Sequence, residues 1–251
     1  MNPANYFRSI PLRRTPVREY FKEVDTMNAP NASVTPLVVF QTYHDKSRIP
    51  SDIYENIKKY APDYRHVVYD DTEAIQLIRD HYPTEVLDLF HRLKGAHRGD
   101  LVRYCYLYVH GGVYMDIKTE LIKPLAEIFI DPTLLYTVVS HSNDHIYQGI
   151  IAVPPRHPLL HELIQYMVDI KEPRHYFEYT NDFYNRIQSD LDGAVTQGRL
   201  HGKKYEYHLF KEMCSSNGGQ CYDGLDRYQL CCFVHSEGNP IIKTRRSSYP
   251  W

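Results

Sequence analysis

Asp100, Arg103 and Asp116 are the residues of this chain whose types and spacing best suit chemistry. An α-helix turns about 100° per residue, so an acid and a base three positions apart lie roughly 60° from each other on one face. On a surface such a pair would be worth at most about 1 kcal/mol. The helix around it is otherwise apolar and aromatic (Leu101, Val102, Tyr104, Cys105, Tyr106, Leu107, Tyr108), which puts the pair beside a buried stripe. There it is either a structural bridge or a ligand clamp. A carboxylate accepts hydrogen bonds from hydroxyl groups, and a guanidinium offers phosphate oxygens a planar fork. Asp116 follows the short apolar run Val113-Tyr114-Met115 and so arrives at the carboxyl end of a strand. A lone aspartate there is commonly a turn or cap residue. Three such groups in this order point instead to a ligand at the mouth of an α/β sheet.

Strands and helices must alternate to deliver them. A buried strand is expected over residues 36–42, ending in Gln41 and Thr42, and a second over 66–69, closed by Asp70-Asp71-Thr72. Asp71 or Thr72 is the expected cap of the next helix, which Pro83 stops. Helices are also expected over 17–24, 51–60, 85–93, 98–110, 158–170 and 183–191. In the 98–110 helix Leu101, Tyr104, Cys105 and Tyr108 form the buried stripe, with Gly111 or Gly112 as a left-handed cap. Further strands fall at 113–115, 134–140 and 148–153. Residues 193–224 read as loop, and a hairpin over 229–235 and 240–244 turns on Glu237-Gly238-Asn239. The pattern is α/β with a Rossmann-like, mostly parallel central sheet flanked by helices.

A chain of 251 residues buries one sizeable core, so a single domain over 1–251 is expected, with a polar, proline-marked arm over 1–35. Its net charge of −2 gives no electrostatic basis for nucleic acid or an anionic membrane as main partner. Twenty-three tyrosines against one tryptophan suit stacking on sugars or bases as well as core packing. The five cysteines are Cys105, Cys214, Cys221, Cys231 and Cys232. An odd count without a signal peptide favours reduced thiols, and the spacing lacks the paired knuckles of a zinc module. No stretch approaches the ~20 apolar residues of a membrane span, and the expected compartment is a bacterial or viral-type host cytoplasm.

The segment Arg98–Leu125, with Arg98-Gly99-Asp100, Arg103-Tyr104, Gly111-Gly112-Val113-Tyr114, Asp116 and Lys123-Pro124-Leu125, resembles the signature of DXD-containing glycosyltransferases. It is similar to family 32, typified by fungal initiating α-1,6-mannosyltransferases and related to the catalytic domains of glucosylating toxins. The resemblance takes in Val39–Tyr43, Ala61–Tyr64, Tyr69–Asp71 and, downstream, Gly149–Pro154 with His157-Pro158, which matches the segment lining the acceptor side. It implies a GT-A fold with a nucleotide-sugar-binding core over 36–160 and an acceptor-side and closing segment over 161–251. It implies a retaining enzyme that moves a sugar from a UDP- or GDP-sugar to a glycan hydroxyl. Asp100 and Arg103 would hold the donor sugar, with Arg103 near the phosphate, and Asp116 would contact sugar or ribose. Gln41, Thr42 and Tyr43 would border the nucleobase, Asp70 or Asp71 the base or ribose, and Gln148 would lie beneath the reacting sugar. Lys243 and Arg245 would close on the phosphates.

The pattern also implies a second acid two residues after Asp116, normally a ligand of Mn²⁺ or Mg²⁺. Here the triplet is Asp116-Ile117-Lys118. A protonated lysine cannot ligate a hard cation, yet the departing diphosphate needs positive charge. Three readings are open. Lys118 supplies that charge; or a metal binds through Asp116, Glu120 and His235; or the chain has lost catalysis and only binds a sugar nucleotide or glycan.

Overall fold

The computed structural model describes residues 16–21, 34–213 and 233–244. Strand β1 (Val38–Thr42) leads through helix α1 (Ser51–Tyr60) to β2 (Arg65–Tyr69). Helices α2 (Asp71–His81), α3 (Thr84–Arg92) and α4 (Gly95–His110) follow, and α4 feeds β3 (Gly112–Met115). Next come β4 (Glu120–Leu121), α5 (Leu125–Ile128), β5 (Leu135–Val139), β6 (Ile146–Val153), α6 (Pro158–Ile170) and α7 (Glu178–Leu191). Strands β7 (Gly198–His201), β8 (Glu206–Met213), β9 (Phe233–Ser236) and β10 (Asn239–Lys243) complete the set.

All ten strands form one sheet in the order β2-β1-β3-β6-β5-β8-β9-β10-β4, with β7 on β8. The α/β class expected from the sequence is the class observed. Parallel pairing joins β2, β1 and β3, where helical crossovers connect the strands, and joins β5 to β8. The other six pairings are antiparallel, so the Rossmann-like character belongs to the first leaf. Side chains of successive residues point to opposite faces, and two apolar clusters result. Phe40, Tyr114 and Ile151 pack on the face carrying α2, α3, α4, α6 and α7. Val39, Val113, Ile150 and Phe210 pack on the other.

Two expectations change. The 98–110 helix begins at Gly95, and residues 100–109 are all buried rather than buried along one stripe. It contacts β1, β3, α2, α3 and α6 at once, and a helix covered on every side shows no periodic exposure. Residues 193–224 are not all loop: β8 is an interior strand between β5 and β9. Its inward positions are shared between Tyr207 and Leu209 on one cluster and Phe210 on the other, a pattern diluted by His208, Lys211 and Glu212.

The Gly111-Gly112 break is required twice over. Gly111 leaves α4 at φ +64°, ψ −167°, a region essentially closed to other residues and different from the left-handed cap expected. A Cβ there would sit 2.6 Å from the Pro155 nitrogen, and Gly112, at φ +112°, has Val38 O 3.0 Å from its own Cβ position. The chain therefore reverses tightly enough to lay β3 beside β1 and set Asp116 past its end.

Candidate active site

Asp116 leaves β3 with its amide donating to Gly149 O at 2.8 Å. The next turn is closed by the Thr119 amide and hydroxyl, both donating to Asp116 O. Behind it, Arg103 reaches across from α4. Its Nη2 lies 3.1 Å from Asp100 Oδ1 and 3.8 Å from Asp116 Oδ1, and its Nη1 donates to Gln148 O at 2.6 Å. The Tyr114 hydroxyl donates to Asp116 Oδ1 at 2.8 Å, and the guanidinium lies 4.5 Å above that ring. Lys118 Nζ is 3.5 Å from Asp116 Oδ2. Two helical acid–base positions and a strand end thus meet in one network.

The network forms the wall of a cavity of about 970 Å³. The Asp100 and Arg103 side chains are only 8% and 7% exposed, against 23% for Asp116 and 36% for Lys118. The two carboxylates are driven apart. Burial pushes the Asp100 carboxyl up, and Arg103 only partly opposes it. Burial acts the same way on Asp116, but Lys118 and then Arg103 outweigh it and hold that carboxyl below its ordinary range. Burial also opposes the charge on Arg103, which Tyr114, Asp100 and Asp116 more than offset, so its pKa is raised. The same network thus shifts its two carboxyls in opposite directions.

Gln148 is 3% exposed, and its side-chain nitrogen and oxygen have no hydrogen-bond partner. A buried amide left this way costs about 1–3 kcal/mol, and Gln148 is one of the residues lining the cavity. Thr42, Tyr43 and Asp71 also line the cavity, Asp71 held by Arg98 Nη1 at 2.7 Å.

Other sequence-named residues stand elsewhere. Asp70, not Asp71 or Thr72, caps α2, accepting from the Thr72 and Glu73 amides in a full capping box. Gln41 is fully buried behind the cavity wall, donating to Asp116 O at 3.3 Å and bonded to His66 Nε2 at 2.8 Å. Lys243 lies 3.4 Å from Glu120. His235 is buried with Nδ1 3.2 Å from Gly238 O, and neither it nor Lys243 lines the cavity. His157 caps α6 and packs on Tyr205. Arg245 and the four later cysteines lie outside the described residues. Cys105 is buried and unbridged.

The donor set does not fit a resident divalent cation. Such an ion takes oxygen ligands at 2.0–2.6 Å, whereas the Asp116 carboxylate is bracketed by an ammonium, a guanidinium and a hydroxyl donor. Glu120 is paired with Lys243, and among the described residues no three His, Cys, Asp or Glu side chains gather around a common point.

The cavity lining also carries groups that no motif announced. His141 Nδ1 lies 3.6 Å from Glu212 Oε2, whose hydrogen bond raises the imidazole pKa. Tyr176 and Phe177, 62% and 47% exposed, stand at the rim. Tyr176 and Phe177 come from the loop before α7, Glu212 from β8 and His141 from the connection between β5 and β6.

Residues 48–142 match the family described as glycosyltransferase sugar-binding region containing DXD motif. That stretch is similar to a glycosyltransferase sugar-binding region. The match covers the whole of α4 and β3 with the Asp100, Arg103 and Asp116 network between them. Over 156 residues the chain is 29% identical to mannosyl phosphorylinositol ceramide synthase of Saccharomyces cerevisiae, 60% of this chain and 37% of that protein. Over 141 residues it is 30% identical to the initiation-specific alpha-1,6-mannosyltransferase of Candida albicans, 45% of this chain and 36% of that one. The chain therefore spans well under half the length of these relatives. Among solved structures the PaToxG glycosyltransferase aligns with a TM-score of 0.47 at 12% identity, over 68% of this chain and 74% of that one. Among the described residues no helix is long and apolar enough to cross a membrane.

Proposed function

We propose that this chain is a GT-A glycosyltransferase that moves a hexosyl group from a nucleoside-diphosphate sugar to a glycan hydroxyl with retention of configuration. The observation that carries this reading is the meeting of Asp100, Arg103 and Asp116 on one cavity wall, beside the unpartnered Gln148 amide. Asp100 and Asp116 accept hydroxyl hydrogen bonds from the sugar or ribose, Arg103 donates to phosphate, and the free amide of Gln148 has both a donor and an acceptor for the sugar face. Thr42, Tyr43 and Asp71 receive the nucleoside at the end of the parallel leaf.

The donor C1–O bond breaks with its electron pair retained on the β-phosphate oxygen. The acceptor oxygen bonds to C1 on the same face, and its proton passes to that phosphate oxygen. Orientation and fixed charge carry such a reaction without a protein nucleophile. The acceptor approaches past Tyr176 and Phe177, whose rings suit the apolar face of a sugar.

The test is release of UDP or GDP from a panel of sugar nucleotides, with and without simple glycoside acceptors. Mannose donors come first, because relatives bear mannosyltransferase names. Turnover by the wild type and its loss in Arg103→Ala support the reading. Donor binding without turnover across the panel would replace it with a non-catalytic sugar-nucleotide-binding role.

A further inference from the structure

The family description includes a DXD motif, and in this chain Asp116 is followed two residues on by Lys118 instead of an acid. We propose that Lys118 takes over the role of a bridging cation, binding the donor diphosphate directly, so that nucleoside diphosphate is held without a divalent metal. This deepens the donor reading given above and rests on it.

Position comes first. The turn fixed by Asp116 N on Gly149 O and by Thr119 on Asp116 O sets residues 116 and 118 on the same side of the chain. Both line the cavity, and the Lys118 ammonium stands 5.7 Å from the Tyr147 ring. At 36% exposure the Lys118 side chain keeps room to swing, whereas Arg103 is locked by Gly99 O, Gln148 O and two carboxylates.

Charge comes second. The network around Asp116 pairs two acids, Asp100 and Asp116, with two bases, Arg103 and Lys118, and the rest of the lining adds Asp71, Glu212 and Arg98, so the cavity has no excess of positive charge without Lys118. When Lys118 turns from Asp116 toward the diphosphate, Asp116 retains the Tyr114 hydroxyl and Arg103. No carboxylate is stranded by the exchange. A divalent ion at the same place would have to displace an ammonium 3.5 Å from Asp116 Oδ2, and among the described residues no three His, Cys, Asp or Glu side chains gather to hold it. An ammonium on the β-phosphate is a point-charge contact of the kind lysine makes in other phosphate sites.

The probes are UDP and GDP, titrated calorimetrically into the purified chain in excess EDTA and again in Mn²⁺. The expected result is binding of one of them with a Kd that changes less than twofold between the two conditions. Lys118→Ala should weaken it about tenfold or more, and Lys118→Arg should restore most of it. Lys118→Asp, which recreates the acidic pair, should bind weakly in EDTA and recover in Mn²⁺, with bound Mn²⁺ visible by electron paramagnetic resonance. Thermal melts check that each variant is folded. Wild-type binding that requires Mn²⁺, or Lys118→Ala binding like wild type, overturns the inference and leaves the transferase reading standing. Failure of both nucleotides to bind under any condition overturns the two together.

Discussion

Two buried aspartates in this molecule, Asp190 and Asp100, separate a carboxylate that builds the fold from one that builds a site. Asp190, on α7, accepts from the amides of Lys204 and Tyr205 and from the Tyr207 hydroxyl at 2.9, 3.2 and 2.8 Å. Gly202 is pressed so close that a Cβ there would fall 2.0 Å from Asp190 Oδ2. The knot is closed, every oxygen is used, and its product is the β7–β8 turn. Asp100 is as deeply buried but has one cation, which it shares with Asp116, and its neighbour Gln148 makes no side-chain hydrogen bond at all. Most buried polar groups of a fold are saturated. Unpaired ones also occur away from the cavity, at Tyr104 and His235 for example, but Tyr147 and Gln148 line it, where a polyhydroxylated, phosphorylated ligand can complete them.

The comparison can be broken most directly at Arg103. Arg103→Ala removes the cation that two acids share, and donor turnover should fall about 10²–10³-fold. It should also destabilise the fold by roughly 3–5 kcal/mol, because Asp100 is left buried and unpaired. Steady-state assays and denaturant titration measure the two separately; undiminished turnover would remove Arg103 from the site. Asp190→Ala should do the opposite, lowering stability by about 2–4 kcal/mol through stranded donors while kcat per folded molecule stays at the wild-type value. A matching loss of kcat would erase the distinction between the two aspartates.

Gln148→Leu sharpens the contrast. It exchanges an unsatisfied amide for an apolar side chain, so the melting temperature should rise, by about 2–4 °C for each kcal/mol gained in a chain of this size. Turnover should nevertheless drop about tenfold, the ordinary worth of a ligand hydrogen bond. A destabilised variant would mean that the amide has a partner in solution.

The smallest effect concerns acid. Burial lowers His66, His110 and His157 to about 4, so near pH 5 each is neutral when folded and protonated when unfolded. Their depressed pKa values therefore cost no stability above the unfolded value of about 6.5 and progressively destabilise the fold as pH falls from there to about 4. Melting temperature should decline across that window, less steeply in His110→Phe. His66 carries the effect to the site, since it bonds Gln41, which holds the Asp116 carbonyl.

The central site was legible because its residues are close in sequence and each obeys a local rule. Helical spacing paired Asp100 with Arg103, the two glycines ended the helix, and the apolar triplet forced Asp116 to a strand end. The helix over 158–170 was equally legible from its first-turn proline, and the hairpin expected over 229–235 and 240–244 about Gly238 appears, within the described residues, as strands over 233–236 and 239–243. The cap was expected at Asp71 or Thr72 and is Asp70, since adjacent polar residues before a helix compete for the cap and local spacing does not resolve a shift of one residue. Capping by Asp70 left Asp71 for Arg98 and the cavity.

Sequence by itself determined the α/β class, the order of the central elements and the acid–base–acid set, because these follow from periodicity and spacing within about twenty residues. Only the tertiary structure decided that residues 100–109 of α4 are all buried, that β8 is interior, and that His235 and Lys243 do not line the cavity. It alone brought His141, Glu212, Tyr176 and Phe177 to the cavity. Those facts depend on contacts between residues tens of positions apart, whose energies no local pattern records. The pairing of Lys118 with Asp116 lies between the two: the sequence supplied the lysine, and the turn after β3 gave it the carboxylate.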